Sequence, residues 1–138
     1  MSIGFSRLKI GDRIVRSKSG IFTKHHVLYM GVWQGKHLIA ENQVGYGVRY
    51  LPLNHFLSEG ILDRVEYYDH TDNSQTIIID RVNKKIGAGY DLLTYNCEHF
   101  VNDVLNGVAE SKQIKNAVAL LIGFTLCALA FKSNDEKK

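Results

Sequence analysis

Two thiols and six imidazoles are the groups in this chain best suited to nucleophilic chemistry near neutral pH, and one thiol stands out by its position. Cys97 lies in the run Tyr95-Asn96-Cys97-Glu98-His99-Phe100-Val101. Asn96 has the side chain of a strong helix N-cap, and Phe100, Val101, Val104 and Leu105 recur at helical spacing. Asn106-Gly107 supplies a stop, so the pattern predicts a helix over residues 97–105. Cys97 then falls in the first turn, where unpaired N–H groups and the helix dipole favour an anion and activate a thiol. A small residue merely capping a core helix leaves the same trace. A base has to be found before the thiol means anything.

A nucleophilic cysteine needs a base within hydrogen-bond reach and a third group to orient that base. His55 and His70 lie in polar or turn-like segments and read as surface residues. His99 is two positions past Cys97 on the same helix and so points away from it. His25 and His26 open the best strand, where adjacent side chains face opposite sides, so one of the two can face the thiol. Hairpin register narrows the third group. A three-residue loop, Trp33-Gln34-Gly35, with Gly35 left-handed pairs Val32 with Lys36. His25, Val27 and Tyr29 then share a face with Gln43, Glu41 and Ile39, and Glu41 is a diagonal neighbour of His25. His37 falls on that face too, but about 20 Å along the strand. A two-residue Gln34-Gly35 turn sets Asn42 beside His25 instead. The candidate centre is therefore Cys97, His25 and Glu41, with His37 and Asn42 as alternatives for the third position.

The elements that must position these groups follow from the same patterns. Lys9-Ile10-Gly11-Asp12 reads as a turn, residues 13–16 as a short strand and residues 17–20 as a loop. Strands are predicted over residues 25–32, 36–43 and 48–51, the first two as a hairpin, with Pro52 ending the third and a helical turn at residues 54–57. Residues 65–68 form a weaker strand candidate. Residues 74–86 carry apolar positions at helical spacing before Gly87, although Ile77-Ile78-Ile79 would also suit a strand. The fold class is α+β, a small antiparallel sheet packed on helices that follow it in sequence.

Composition excludes several classes. The chain of 138 residues is long enough for one core, with 45% hydrophobic and 22% charged residues. A net charge of +3, evenly spread, does not mark a nucleic-acid binder. Two cysteines in unlike contexts fit a reducing, cytoplasmic compartment rather than a disulfide framework. Residues 1–16 lack the apolar core of a secretory signal. His25, His37, Cys97 and His99 are zinc-ligand types without ligand spacing, so neither metal nor cofactor is expected.

Four stretches taken together resemble the lecithin:retinol acyltransferase-like family, and within it the phospholipase A/acyltransferase subfamily. They are Lys9-Ile10-Gly11-Asp12, the histidine box His25-His26-Val27-Leu28-Tyr29-Met30-Gly31, the nucleophile motif Asn96-Cys97-Glu98-His99-Phe100-Val101-Asn102, and Gly107-Val108-Ala109-Glu110-Ser111-Lys112-Gln113. The resemblance covers roughly residues 9–131. It implies a circularly permuted NlpC-type papain-like cysteine hydrolase fold. It also implies chemistry: Cys97 attacks an acyl ester and forms a thioester, passed to water or to an acceptor amine or alcohol, with His25 as base. Relatives often carry a histidine after the hairpin at the third position. Here the corresponding strand, Leu38-Ile39-Ala40-Glu41, ends in Glu41, while ungapped counting lands on His37.

Residues 117–131 contain no charge and are flanked by Lys115 and Lys132. Fifteen residues make a helix of about 22 Å, short of the roughly 20 residues a span prefers. The stretch still reads as an anchor that sets the protein on a membrane surface, with a buried core helix as the opposing reading. Residues 1–112 form the expected catalytic domain, and residues 113–138 an apolar helix with a charged tail. The function expected is a thiol-dependent phospholipid acyl hydrolase or acyltransferase. A papain-like amidase or peptidase and a non-catalytic regulatory module are the rivals.

Overall fold

The computed structural model describes residues 4–17 and 24–135. The loop expected at residues 17–20 lies, beyond Ser17, outside the described residues, as does the end of the charged tail. After a 3₁₀ turn at Phe5–Arg7 come β1 (Arg13–Ser17), β2 (Lys24–Trp33), β3 (Lys36–Gln43), β4 (Gly47–Pro52), α1 (Leu53–Ser58), β5 (Leu62–Glu66), α2 (Ser74–Lys85), α3 (Cys97–Asn106) and α4 (Lys112–Asp135). The strands form one antiparallel sheet in the order β4-β3-β2-β1-β5. The class is α+β.

Side-chain alternation along the central strands gives the sheet two buried faces. Val27, Tyr29 and Ile39 pack with Ile14, Leu53 and Phe56 under α1. Leu28, Ala40 and Val48 pack with Ile78 and Val82 of α2 and with Phe100, Val101 and Val104 of α3. Of the three consecutive isoleucines, Ile78 goes into that core and Ile77 faces outward, and the buried positions Ser74, Ile78 and Val82 recur every four residues, the spacing of a helix rather than of a strand. The last strand sits earlier than residues 65–68. Tyr67 and Tyr68 leave the sheet, and the Tyr68 N–H donates to Asp12 Oδ1 at 2.9 Å.

The β2–β3 hairpin departs from the expected register in two places. Trp33 pairs with Lys36, so the loop has two residues, Gln34 and Gly35, both with positive φ (48° and 74°). Alone, that turn shifts every pair by one and favours Asn42 at the site. A β-bulge between Tyr29 and Gly31 then takes up one extra residue of β2, and the ladder resumes with Tyr29 opposite Ile39 and Leu28 opposite Ala40. Gly31 permits this with φ +90°, its missing Cβ leaving room for Ile10 Cδ1 at 3.2 Å from where that atom would be. Turn and bulge cancel, and β3 presents Glu41 on the His25 face after all.

α4 is also longer than its apolar stretch: it begins at Lys112 and runs 24 residues, about 36 Å. Its side chains from Asn116 to Ser133 are exposed, which rules out the buried-core-helix reading.

Candidate active site

Local sequence fixes the start of α3. The Asn96 side chain accepts from the Glu98 and His99 N–H groups at 3.0 and 3.1 Å, and His99 Nδ1 in return accepts the Asn96 N–H at 3.2 Å. This reciprocal cap turns the His99 ring back onto the helix start and holds Cys97 as the first helical residue. Cys97 is buried, with Sγ 4.0 Å from the Lys24 carbonyl oxygen at the start of β2.

His25, the next residue of β2, is fully buried and lies against Phe56, ring centroids 5.7 Å apart. Its Nε2 is 2.9 Å from Glu41 Oε2. Burial alone would lower the His25 pKa, but hydrogen bonding to Cys97 and Glu41 and their negative charge outweigh it and raise the value. Glu41 is 1% exposed; burial would raise its pKa, and the bonds to His25 and Arg49 overcome that and lower it. An ionised carboxylate only accepts, so Nε2 carries the proton and Nδ1 is the basic nitrogen of the neutral ring. Among the described residues Nδ1 has no oxygen or nitrogen partner. The imidazole thus stands between a thiol and a carboxylate, with its basic edge on the thiol side.

The alternatives for the third position go elsewhere. Asn42 lies on the opposite face and donates from Nδ2 to the Tyr95 carbonyl at 2.7 Å, tying β3 to the chain just before α3. His37 takes Tyr29 Oη at 2.7 Å on Nδ1, stacks near Phe5, and lines a separate surface pocket with Lys36, Pro52 and Leu53. His55 is exposed beside Glu59, whereas His70 is half-buried between Tyr68 and Asp12 rather than a surface group.

Two features escaped sequence reasoning. Arg49 bonds the outer oxygen of Glu41, with Nε and an Nη both 2.8 Å from Oε1. Extending the pairing from β3 into β4 would have found it, since Glu41 and Arg49 are direct partners. The second is a buried polar cluster behind the sheet. His26 is 3% exposed, and burial pulls its pKa down to about 4 against the attraction of Glu98. Glu98 accepts from Ser111 Oγ at 2.7 Å and from the Gln113 N–H at 3.1 Å, and so holds the first turn of α4 to the first turn of α3.

Comparison with known proteins gives a consistent result. A profile of the family described as lecithin retinol acyltransferase matches residues 6–110. A human protein named phospholipase A and acyltransferase 3 is 26% identical over 129 residues, covering 79% of this chain and 80% of the relative. A protein of the same name from Pongo abelii is 25% identical over 142 residues, covering 85% and 88%.

Proposed function

The chain belongs to the lecithin retinol acyltransferase family, and on that footing we propose that it is a thiol-dependent phospholipid acyl hydrolase and acyltransferase working through an acyl-thioester on Cys97. The observation that carries the reading is the buried imidazole of His25, bonded to Glu41 through Nε2 and acted on by Cys97. The relatives are named for both activities. A thioester is the branch point that yields both, because water and an acceptor amine or alcohol compete to open it.

In this mechanism His25 takes the Cys97 proton at Nδ1, and the thiolate attacks the ester carbonyl carbon. Backbone N–H groups near the start of α3 are assigned to the oxyanion. Collapse expels the lysolipid alkoxide, which takes the proton from the imidazolium. His25 then deprotonates water or the acceptor, the thioester opens, and the thiol is restored. Glu41 keeps the ring oriented and stabilises its charged form.

The reading extends to architecture and place. A histidine strand preceding a cysteine helix is the chain order of a circularly permuted NlpC-type papain-like hydrolase. Residues 1–112 are taken as the catalytic unit and residues 113–138 as an appended membrane anchor with a charged tail. Residues Lys112–Ser133 form a helix long and apolar enough to cross a bilayer, with mean hydropathy 2.0. It would keep the centre beside its lipid substrate, on the cytoplasmic side.

Incubation with phosphatidylcholine labelled in its acyl chains tests the proposal. A hydroxylamine-labile acyl adduct on Cys97, absent in Cys97→Ala, together with released or transferred acyl chain, is expected. Neither adduct nor release, in vesicles and micelles alike, would overturn it.

A further inference from the structure

Glu41 meets His25 with one oxygen, and the other is not left to solvent. Nε and an Nη of Arg49 both lie 2.8 Å from Oε1, while Oε2 faces His25 Nε2 at 2.9 Å. Each carboxylate oxygen thus has its own cationic or proton-bearing partner. The arrangement follows from register, since Arg49 sits directly opposite Glu41 in the β3–β4 ladder. It is also braced from outside: the guanidinium carbon lies 3.7 Å from the centroid of the Tyr46 ring. A buried carboxylate with a single partner at one oxygen can rotate about its last bond, and a guanidinium fork at the other oxygen removes that freedom.

We infer that Arg49 is a positioning residue of the Cys97–His25 centre, fixing the plane of the Glu41 carboxylate so that Oε2 stays on His25 Nε2. The inference rests on Cys97 and His25 acting as nucleophile and base, and it adds a fourth residue that acts through the third.

Charge follows geometry. Among the described residues, the charged groups around His25 are Cys97 from α3, Glu41 from β3 and Arg16 from β1, which lies opposite His25 but turns to Glu59 at 2.8 Å and over the Phe56 ring of α1. Arg49 reaches His25 through Glu41 and offsets part of the negative charge the imidazole feels. Its side chain is 31% exposed, so solvent screens that offset in part. Removing Arg49 unmasks Glu41, which favours the imidazolium, and at the same time loosens the ring.

Arg49→Gln and Arg49→Lys, made in the full chain, separate the two effects. The His25 ionisation is read by NMR of ring-labelled histidine, and Cys97 reactivity by iodoacetamide alkylation across pH without any lipid. For Arg49→Gln the His25 ionisation is expected to move up by about one pH unit. In lipid turnover kcat should fall on the order of tenfold, with KM within about twofold. Arg49→Lys keeps the charge but not the fork, so the ionisation should return to that of the parent chain while kcat recovers only in part. A folded Arg49→Gln protein with unchanged ionisation and kcat overturns the inference, and so does an Arg49→Lys protein indistinguishable from its parent. His25→Ala is the control for the underlying reading. If it leaves the alkylation profile unchanged, the nucleophile–base pairing itself fails. If it changes the profile while the Arg49 variants do not, only the role of Arg49 fails.

Discussion

The two adjacent histidines of β2 are chemically alike and energetically opposite. His25 is buried beside Cys97 and Glu41, whose hydrogen bonds and charge raise its pKa; His26, one residue on, is buried where desolvation dominates and its pKa falls to about 4. The depressed value has a definite consequence for stability. In the unfolded chain His26 takes a proton near pH 6.5, in the folded one only near 4, so its contribution is fully present above about 6.5 and is lost as pH falls towards 4. Denaturant titrations between pH 7.5 and 4.5 should show stability declining on acidification, with this one proton contributing at most about 1.4 kcal/mol per pH unit. His26→Gln should flatten that decline, and an unchanged slope would assign it to other groups. At the active centre, Glu41→Gln keeps an acceptor for Nε2 but removes the charge. It should lower kcat roughly 10–100-fold with little change in KM, measured as acyl release.

At the scale of elements, the hairpin decides which side chain meets His25. Gly31 carries φ +90°, and an added Cβ would come within 3.2 Å of Ile10 Cδ1. Gly31→Ala is therefore expected to cost on the order of 1–2 kcal/mol in thermal or chemical unfolding. Alkylation of Cys97 should also lose part of its dependence on His25, since the bulge sets the register that brings Glu41 in. Normal stability and an unchanged alkylation profile would mean the bulge is incidental. The same hairpin marks where sequence reasoning ends. Start and stop of α3 were legible because Asn96 and Gly107 act on their own neighbours within a turn. The sequence pattern brings Glu41 to His25 through a three-residue loop and a regular ladder, whereas the chain uses a two-residue turn and a bulge. The two one-residue differences offset each other, and Gly31 alone hints at the second. Arg49 is invisible in the local pattern because its partner, Glu41, lies across the β3–β4 strand pair. The apolar stretch understates α4, because polar Lys112, Gln113 and Asn116 join the helix through the cap at Ser111, a contact 13 residues from Glu98.

For the whole molecule, the decisive feature is a fully exposed apolar helix carried by an otherwise well-buried sheet domain. Leu120, Leu121, Ile122, Phe124, Leu126, Leu129 and Phe131 all face outward, and water is a poor surrounding for them. Lysine in the middle of a spanning helix costs about 2.5–3.5 kcal/mol per substitution. The double variant Leu121→Lys, Phe124→Lys should therefore lose co-flotation with phosphatidylcholine vesicles while Cys97 alkylation stays as in the parent chain. Equal flotation of the two proteins would remove the anchor from the account.

Trp33, the sole tryptophan of the chain, sits at the hairpin tip beyond the bulge and is 66% exposed. Its indole is already in water in the native state, so its emission should scarcely change on unfolding. Denaturation is better followed by circular dichroism or through the seven tyrosines. What the indole does report is its surroundings at one edge of the molecule. A blue shift on mixing with vesicles would mark that edge as meeting lipid, read out by a native fluorophore that needs no label.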